Sequence, residues 1–163
     1  MAQTTELWDI YDSDRNPTGR VEPRGRLVIG DYHLVVHIWL MNEKGEILVT
    51  QRAQNNPWGL FWETTGGSVL AGETSLQAAV REVREEVGIQ VKHIRYYGSQ
   101  PWGMSGNLTL AYTAELDGGD RLTVDRTELA EARWFFRDQV PIRKEDRVSI
   151  TQDMVRAFAA GRF

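Results

Sequence analysis

The order of elements in the sequence predicts an α+β fold, in which a β-sheet carries helices on its faces. Three observations lead to this class. Residues 33–41 (HLVVHIWLM) are rich in β-branched and aromatic side chains, as expected for a central strand. Apolar residues recur at helical spacing through residues 74–87. Strand-like segments follow this helix, and a second helical segment is predicted at 149–160.

The remaining elements follow from turn-forming residues and from β-branched or apolar runs. A short strand is predicted at 7–11, followed by a turn-rich segment at 12–19 (DSDRNPTG). A hairpin turn at 42–45 (NEKG) separates the central strand from a returning strand at 46–52. Further strands are predicted at 61–65, 90–97, 108–116 and 133–136, with a loop at 53–60. We expect one domain over residues 1–163, with an N-terminal strand or hairpin extension over about residues 1–30.

Composition and charge limit the classes of function. The chain has 163 residues, a formal net charge of −4 and no cysteine. The acidic balance argues against binding of long nucleic acid, but it permits a small phosphate-bearing ligand neutralised by metal ions. Disulfides, thiolate zinc sites and a cysteine nucleophile are excluded. No signal peptide pattern is present, and the longest apolar run, 34–41, is too short to span a bilayer, so we expect a cytoplasmic protein without a membrane partner.

Three glutamates lie on one face of the predicted helix, which Thr74 can cap and Gly88 can end. Glu82, Glu85 and Glu86 are spaced i, i+3 and i+4, and so are neighbours on the helix surface. Taken alone, such a cluster is more often a solvated acidic face than a functional site. The alternative is a set of hard oxygen ligands for divalent cations.

The spacing of residues around these glutamates favours the second interpretation. Gly67 is followed after five residues by Glu73, and seven further residues lead to the segment 81–89 (REVREEVGI). On this complete signature the chain is identified as a member of the Nudix family. The resemblance implies an α/β/α sandwich with a mixed sheet, in which the Nudix box forms a loop–helix–loop.

The resemblance also implies roles for residues of the box. The glutamates Glu82, Glu85 and Glu86 would bind Mg²⁺, or alternatively Mn²⁺, and the carbonyl of Gly67 would join them. These glutamates and Arg81 would be catalytic, with Glu82 a candidate base, although the resemblance does not decide which glutamate is the base. Arg81 would orient Glu82, whereas Glu73 and Gly88 would be structural. The implied reaction is hydrolysis of a phosphoanhydride bond by water.

A second segment bears on the substrate. Residues 99–102 (SQPW) resemble a signature of NADH pyrophosphatases, and the resemblance extends from 67 to about 160. It implies substrate contacts by Ser99, Gln100, Trp102 and Met104, although Gly-Met-Ser at 103–105 replaces the Pro-Phe-Pro of that signature.

The resemblance to NADH pyrophosphatases also implies one more metal-site carboxylate downstream of the box. Glu128 matches this position best, and the neighbouring Glu131 stays open as the alternative.

The N-terminal part resembles a different Nudix branch. Residues 6–20 (ELWDIYDSDRNPTGR) and 24–52 are similar to proteins like isopentenyl diphosphate isomerase. Those isomerases use a catalytic cysteine, and this chain has none, so isomerase activity is not expected.

Several conspicuous residues allow two interpretations. Arg52, at a strand end, would contact phosphate or be solvated. Trp58 and Trp102 would stack on a ligand or pack against protein. His33 and His37 point to the same strand face, which suits a metal pair less well than ordinary core or surface roles. Core positions are predicted for Trp39, Trp62 and Trp134.

The sequence thus predicts an enzyme acting on a nucleoside diphosphate derivative, such as the dinucleotide NADH. A nucleoside triphosphate pyrophosphohydrolase is the first alternative. A non-catalytic nucleotide sensor is the second, and it is disfavoured because every box carboxylate is retained. A homodimer is implied by the family resemblance alone.

Overall fold

The fold is built around the central strand that the sequence predicts, with the same bounds. A computed structural model of the chain describes residues 5–57, 59–141 and 148–162. The elements in chain order are β1 (Leu7–Tyr11), β2 (Pro17–Pro23), β3 (His33–Met41), β4 (Ile47–Arg52), β5 (Trp62–Glu63), β6 (Thr65–Ser68), α1 (Ser75–Val87), β7 (Gln90–Trp102), β8 (Asn107–Asp117), β9 (Leu129–Phe135) and α2 (Ile150–Ala159).

A mixed sheet forms the centre of the molecule. Its strand order is β5-β4-β3-β8-β7, while β6 also pairs with β3 and β9 with β4. Strands β3 and β8 run parallel, with His33 opposite Asn107 and Met41 opposite Glu115. The other pairs in this sheet are antiparallel. The mixed sheet therefore agrees with the predicted architecture.

The two faces of β3 bury different side chains, because successive residues of a strand point to opposite faces. Val36, Ile38 and Leu40 join the core cluster that contains Val83 and Val87 of α1. On the other face, Trp39 belongs to a cluster with Met154 and Phe158 of α2. One helix thus covers each face of the sheet, which confirms the α/β/α arrangement.

Helix α1 begins and ends where the sequence predicts. The side chain of Thr74 accepts a hydrogen bond from the backbone N–H of Gln77, and the Gln77 side chain accepts one from the Thr74 N–H. This reciprocal cap satisfies two otherwise unpaired N–H groups. Gly88 ends the helix at a φ of 72°, and a Cβ added there would lie 2.8 Å from the Cβ of Thr123.

Strand β7 is longer than predicted. The sequence indicates an end near residue 97, with Trp102 in or next to a loop, but the strand continues through residues 99–102. This segment pairs with β8, Ser99 opposite Leu110 and Trp102 opposite Asn107. Pro101 is tolerated because β7 lies at the edge of the sheet. Long-range pairing decides the conformation here, which local sequence does not reveal.

The N-terminal hairpin forms a separate two-stranded sheet from β1 and β2, of which only β1 is predicted. It is attached to the loop before α1. The Ala71 N–H donates to the carbonyl of Leu7 and the Gly72 N–H to the carboxylate of Asp9, both over 2.8 Å. Trp8 on the same strand is buried.

In the described part of the chain, no helix is long and apolar enough to cross a membrane.

Candidate active site

Arg81 is the centre of a hydrogen-bond network that links the loop before α1 to the glutamates of this helix. Its Nε and Nη2 donate to the two oxygens of Glu73 over 2.8 and 3.0 Å. Its Nη1 donates to Glu82 over 2.8 Å and to Glu85 over 3.1 Å. Nη2 also donates to the carbonyl of Ser68 over 2.9 Å. The planar guanidinium therefore joins the loop, the Glu73 carboxylate and the glutamate face of α1.

The hydrogen bonds of Arg81 hold the pKa of Glu73 below its usual range. A second contact of Glu73 links it to the loop, because its Oε2 accepts from the N–H of Leu70 over 3.1 Å. Glu73 thus connects the loop to the helix, as the resemblance implies for this position.

Gly67 lies against the carboxylate of Glu82. A Cβ added to Gly67 would stand within 2.6 Å of the Oε1, Cδ and Oε2 atoms of Glu82, a distance that no side chain tolerates. Gly67 pairs with Val36 of the central strand. The absence of a side chain therefore lets a buried carboxylate of the helix approach the backbone of β6.

Glu86 is the most perturbed acid of the cluster. Its side chain is buried, with 7% of the residue exposed, and its Oε2 has no hydrogen-bond partner among the described residues. Burial, together with the nearby charges of Glu82, Glu63 and Glu128, raises the pKa of Glu86 to about 9, against one backbone hydrogen bond from Gly66. Burial also raises the pKa of Glu82. A cation at this position would replace the missing counter-charge.

The segment after β8 brings a further carboxylate to the cluster. The Asp125 N–H donates to the carbonyl of Glu86 over 2.8 Å, at the end of α1. Glu128 lines a small cavity together with Asp125 and the three helix glutamates. The neighbouring alternative, Glu131, forms an ion pair with Arg133 instead. The geometry therefore favours Glu128 over Glu131 as the carboxylate nearest the helix face.

A cleft of about 370 Å³, which we call the carboxylate cleft, is lined by the box residues Gly67, Arg81, Glu82, Glu85 and Glu86 and by Glu128. Arg52 and Glu63 also line it and form an ion pair of 3.1 Å. The Nε of Arg52 is buried without a hydrogen-bond partner among the described residues. Glu63 is not among the site residues predicted from the sequence. Its position, four residues before Gly67 on a strand paired with that of Arg52, is the only sequence signal that could have identified it.

A second cavity of about 370 Å³, which we call the aromatic pocket, adjoins the first. Its aromatic walls are Trp39, Phe61, Trp62 and Trp102. The side chain of Gln152, from α2, adds a buried polar group. Trp39 and Trp62 are predicted to be core residues; Trp39 belongs to the core cluster beneath α2 and Trp62 packs against it. Trp102 lines this pocket, and its contact with a ligand stays a prediction.

The other residues predicted to contact substrate lie elsewhere. The Gln100 side chain donates to the carbonyl of Val148 over 2.6 Å and accepts from the N–H of Ile150 over 2.8 Å, so it holds the start of α2. Ser99 and Gln100 both line a shallow depression beside α2. Met104 is 97% exposed at the β7–β8 turn. Trp58 lies outside the described residues.

The two histidines of β3 do not form a metal pair in this arrangement. The ring of His33 stacks on Trp8, with centroids 3.8 Å apart, and its Nε2 lies 2.8 Å from Oδ1 of Asn107. The Nδ1 of His37 lies 3.1 Å from the hydroxyl of Thr64. Burial lowers the pKa of His37 to about 4, so the ring is neutral at physiological pH. Burial also lowers the pKa of His33.

Comparison with known proteins decides the family. The model of the NUDIX domain matches residues 31–158, which is most of the chain. The chain belongs to the Nudix family. The glycine, arginine and glutamates described above are thus the box of a Nudix hydrolase, and enzymes of this family generally use divalent metal ions such as Mg²⁺.

Similar Nudix proteins match this chain over most of their length or over a smaller part of it. An uncharacterised Nudix hydrolase of Listeria monocytogenes is 32% identical over 148 residues, covering 83% of this chain and 82% of that protein. The NAD-capped RNA hydrolase NudC of Vibrio vulnificus is 47% identical over 101 residues, covering 62% of this chain but 38% of that protein. The crystal structure of a NUDIX hydrolase from Nitrosomonas europaea superposes with a TM-score of 0.68 at 21% identity, over 87% of this chain and 76% of that one.

The donors of the Nudix box fit a divalent ion in type, although they are not arranged around one. Across residues 5–57, 59–141 and 148–162, no three acidic or histidine side chains are grouped closely enough to hold a metal ion. Arg81 pairs with one oxygen of Glu82 and one of Glu85. The unpartnered Oε2 of Glu86 and the side-chain-free backbone at Gly67 are the features that suit a hard cation.

Proposed function

We propose that this chain hydrolyses a phosphoanhydride bond of a nucleoside diphosphate derivative, with Mg²⁺ or Mn²⁺ as cofactor. One observation carries the proposal. Glu82, Glu85, Glu86 and Glu128 line one small cavity, and among the described residues Arg81 forms ion pairs with just the first two of them. A divalent ion supplies counter-charge to this cluster and a binding surface for diphosphate oxygens.

In this proposal the protein groups divide the work. Glu85, Glu86, Glu128 and the carbonyl of Gly67 hold the metal, which would neutralise the diphosphate and acidify the attacking water. Glu82 is our candidate for the base that takes the proton of this water. Burial raises the pKa of Glu82 towards neutrality, and such a carboxylate is a better proton acceptor than an ordinary one.

Arg81 orients Glu82 through the hydrogen bond of 2.8 Å between Nη1 and Oε1. Arg52, at the far wall of the carboxylate cleft, would donate to phosphate oxygens, since its buried Nε has no partner among the described residues.

We further propose that the substrate is a dinucleotide. The support is the similarity to proteins named NAD-capped RNA hydrolase NudC, which covers 62% of this chain and 38% of one such protein. The presence of an aromatic pocket directly beside the carboxylate cleft also suits a substrate with a ring system attached to its diphosphate. A nucleoside triphosphate is the competing substrate class.

A substrate panel tests both levels of the proposal. NADH, NAD⁺, ADP-ribose, diadenosine polyphosphates and the nucleoside triphosphates would be incubated with the protein and Mg²⁺, and the products separated by chromatography. We expect NADH to yield two mononucleotides and to be turned over faster than any triphosphate. Faster turnover of a triphosphate would contradict the dinucleotide assignment, and no turnover of any compound would contradict the hydrolase proposal itself.

A further inference from the structure

The carboxylate cleft and the aromatic pocket share one wall. Of the residues that line them, five belong to both cavities, namely Val35, His37, Arg52, Glu63 and Asn107. A ligand that occupied both cavities would pass over these residues. The part of a nucleotide between its phosphates and its base is the ribose, so the shared wall is where a ribose would lie.

The other polar groups of this wall have partners or roles away from a ribose. Arg52 pairs with Glu63 over 3.1 Å and is assigned above to the phosphates. The Oδ1 of Asn107 lies 2.8 Å from the Nε2 of His33. Asn107 is opposite His33 in the parallel pair of β3 and β8, so it lies four residues, or about 13 Å, from His37 along the sheet. His37 is therefore the residue of this wall with chemistry to offer at the junction itself.

The ring of His37 has one nitrogen available. Its Nδ1 lies 3.1 Å from the Thr64 hydroxyl. Its Nε2 makes no hydrogen bond to a described residue and is not among the fully buried, unpartnered polar atoms. Nε2 of a neutral ring either donates or accepts one hydrogen bond, and a hydroxyl can serve as its partner in both cases.

We propose that Nε2 of His37 forms a hydrogen bond with a ribose hydroxyl of the substrate, so that this enzyme selects ribonucleotides over deoxyribonucleotides. The diphosphate then lies over the glutamates and the base between the tryptophans of the aromatic pocket. This inference rests on the proposed function, because it assumes that a nucleoside diphosphate occupies the two cavities. A site built to pair with a hydroxyl rejects an analogue that lacks it, since the bound analogue then leaves Nε2 covered and unpaired.

Binding of ADP, 2′-deoxy-ADP and 3′-deoxy-ADP in Mg²⁺, measured by isothermal titration calorimetry, tests the proposal. Chromatography would verify that the nucleotides stay intact. We expect the wild-type protein to bind ADP about 3- to 10-fold more tightly than one of the deoxy forms, as one hydrogen bond between neutral groups allows. His37→Leu should abolish this preference, whereas His37→Gln, which retains a hydrogen-bonding group, should keep part of it. His93→Asn, at an exposed histidine outside both cavities, is the control and should bind like the wild type.

Three results would overturn the inference: no ADP binding by the wild type, equal binding of ADP and both deoxy forms, or an unchanged preference in His37→Leu. The comparison of analogues uses the wild-type protein, so it remains decisive even if a variant fails to fold. Hydrolysis of the substrate panel by the same preparation separates the two levels. Turnover without ribose preference contradicts only the role of His37, whereas absence of turnover contradicts the proposed function.

Discussion

The carboxylate cleft and the aromatic pocket have similar volumes but opposite origins. The box residues of the cleft come from one continuous segment, 67–88, in which a loop and one helix bring them together. The aromatic pocket draws its lining from strands β3, β4, β5, β7 and β8 and from helix α2. Under the proposed function, the chemistry of the enzyme is encoded locally, whereas its substrate selection is assembled from distant segments. The two cavities should therefore respond differently to substitution.

Glu86→Gln is expected to have the largest effect on turnover. Loss of a charged metal ligand should lower kcat at least about 100-fold. The wild type must protonate Glu86 to fold at pH 8, because burial raises its pKa to about 9. The metal-free variant lacks this cost and should therefore melt at a higher temperature than the wild type at that pH. Steady-state kinetics and thermal denaturation measure the two effects. The exposed Glu43→Gln should change neither, and near-normal turnover of Glu86→Gln would contradict the metal site.

Arg81→Lys should impair both the fold and the activity. A lysine cannot reproduce the paired hydrogen bonds to Glu73 while also reaching Glu82 and Glu85. We expect a loss of about 1–3 kcal/mol in the free energy of unfolding and a decrease of roughly 10-fold or more in kcat. Urea denaturation and kinetics measure these values. Arg84→Lys, on the exposed face of the same helix, is the matched control, and equal behaviour of the two variants would refute the role of Arg81.

Metal affinity should increase with pH. The pKa of Glu86 in the folded, metal-free protein is about 9, above the ordinary glutamate value of about 4.3 in an unfolded chain. Divalent ions must displace this proton, so affinity should rise by up to about tenfold per pH unit between pH 6 and 8. Mg²⁺ titrations in buffers of different ionisation enthalpy would measure the protons released on metal binding. Equal proton release by the wild type and Glu86→Gln would contradict this role of Glu86.

The stability of the metal-free protein should change in the opposite direction. Because the folded pKa of Glu86 is raised, its contribution to stability is present below the unfolded pKa and is lost as pH rises towards 9. Denaturation midpoints between pH 5 and 9 should therefore fall for the wild type and remain flatter for Glu86→Gln. Saturating Mg²⁺ should reduce the decline.

In the aromatic pocket, substitution should affect binding more than the chemical step. Trp102→Ala should raise KM by about 5- to 10-fold with little change in kcat, since a base–aromatic contact contributes about 1–3 kcal/mol. Met104 is almost fully exposed and lies two residues beyond Trp102, the last residue of the SQPW segment. Met104→Ala should change KM less than about twofold. A larger effect at Met104 than at Trp102 would show that the SQPW segment binds substrate from outside the pocket.

The sequence predicts local features of this protein well. The bounds of β3, the cap at Thr74 and the helix end at Gly88 agree with the structure, because each depends on nearby residues. The resemblance to the Nudix family also implies that Gly67 lies with the glutamates, and Gly67 lies against the Glu82 carboxylate. By contrast, the continuation of β7 through residues 99–102 depends on pairing with β8, and no local signal announces it.

Local sequence also gives no signal for residues whose position depends on tertiary contacts. Glu63 reaches the carboxylate cleft because β5 pairs with β4 beside Arg52. Gln100 was predicted to meet the substrate from its motif, yet its hydrogen bonds hold the start of α2. A motif thus identifies a segment, but the side to which each of its residues points depends on the strand that carries it.

The assignment of the glutamate face as a divalent-cation site is tested most directly by Mn²⁺ binding, independent of any substrate. Electron paramagnetic resonance of free Mn²⁺ would be recorded during titration of the wild type, Glu86→Gln and the control Glu43→Gln. We expect saturable binding by the wild type and the control, and affinity at least about 10-fold weaker in Glu86→Gln. Equal Mn²⁺ binding by all three proteins would contradict the assignment.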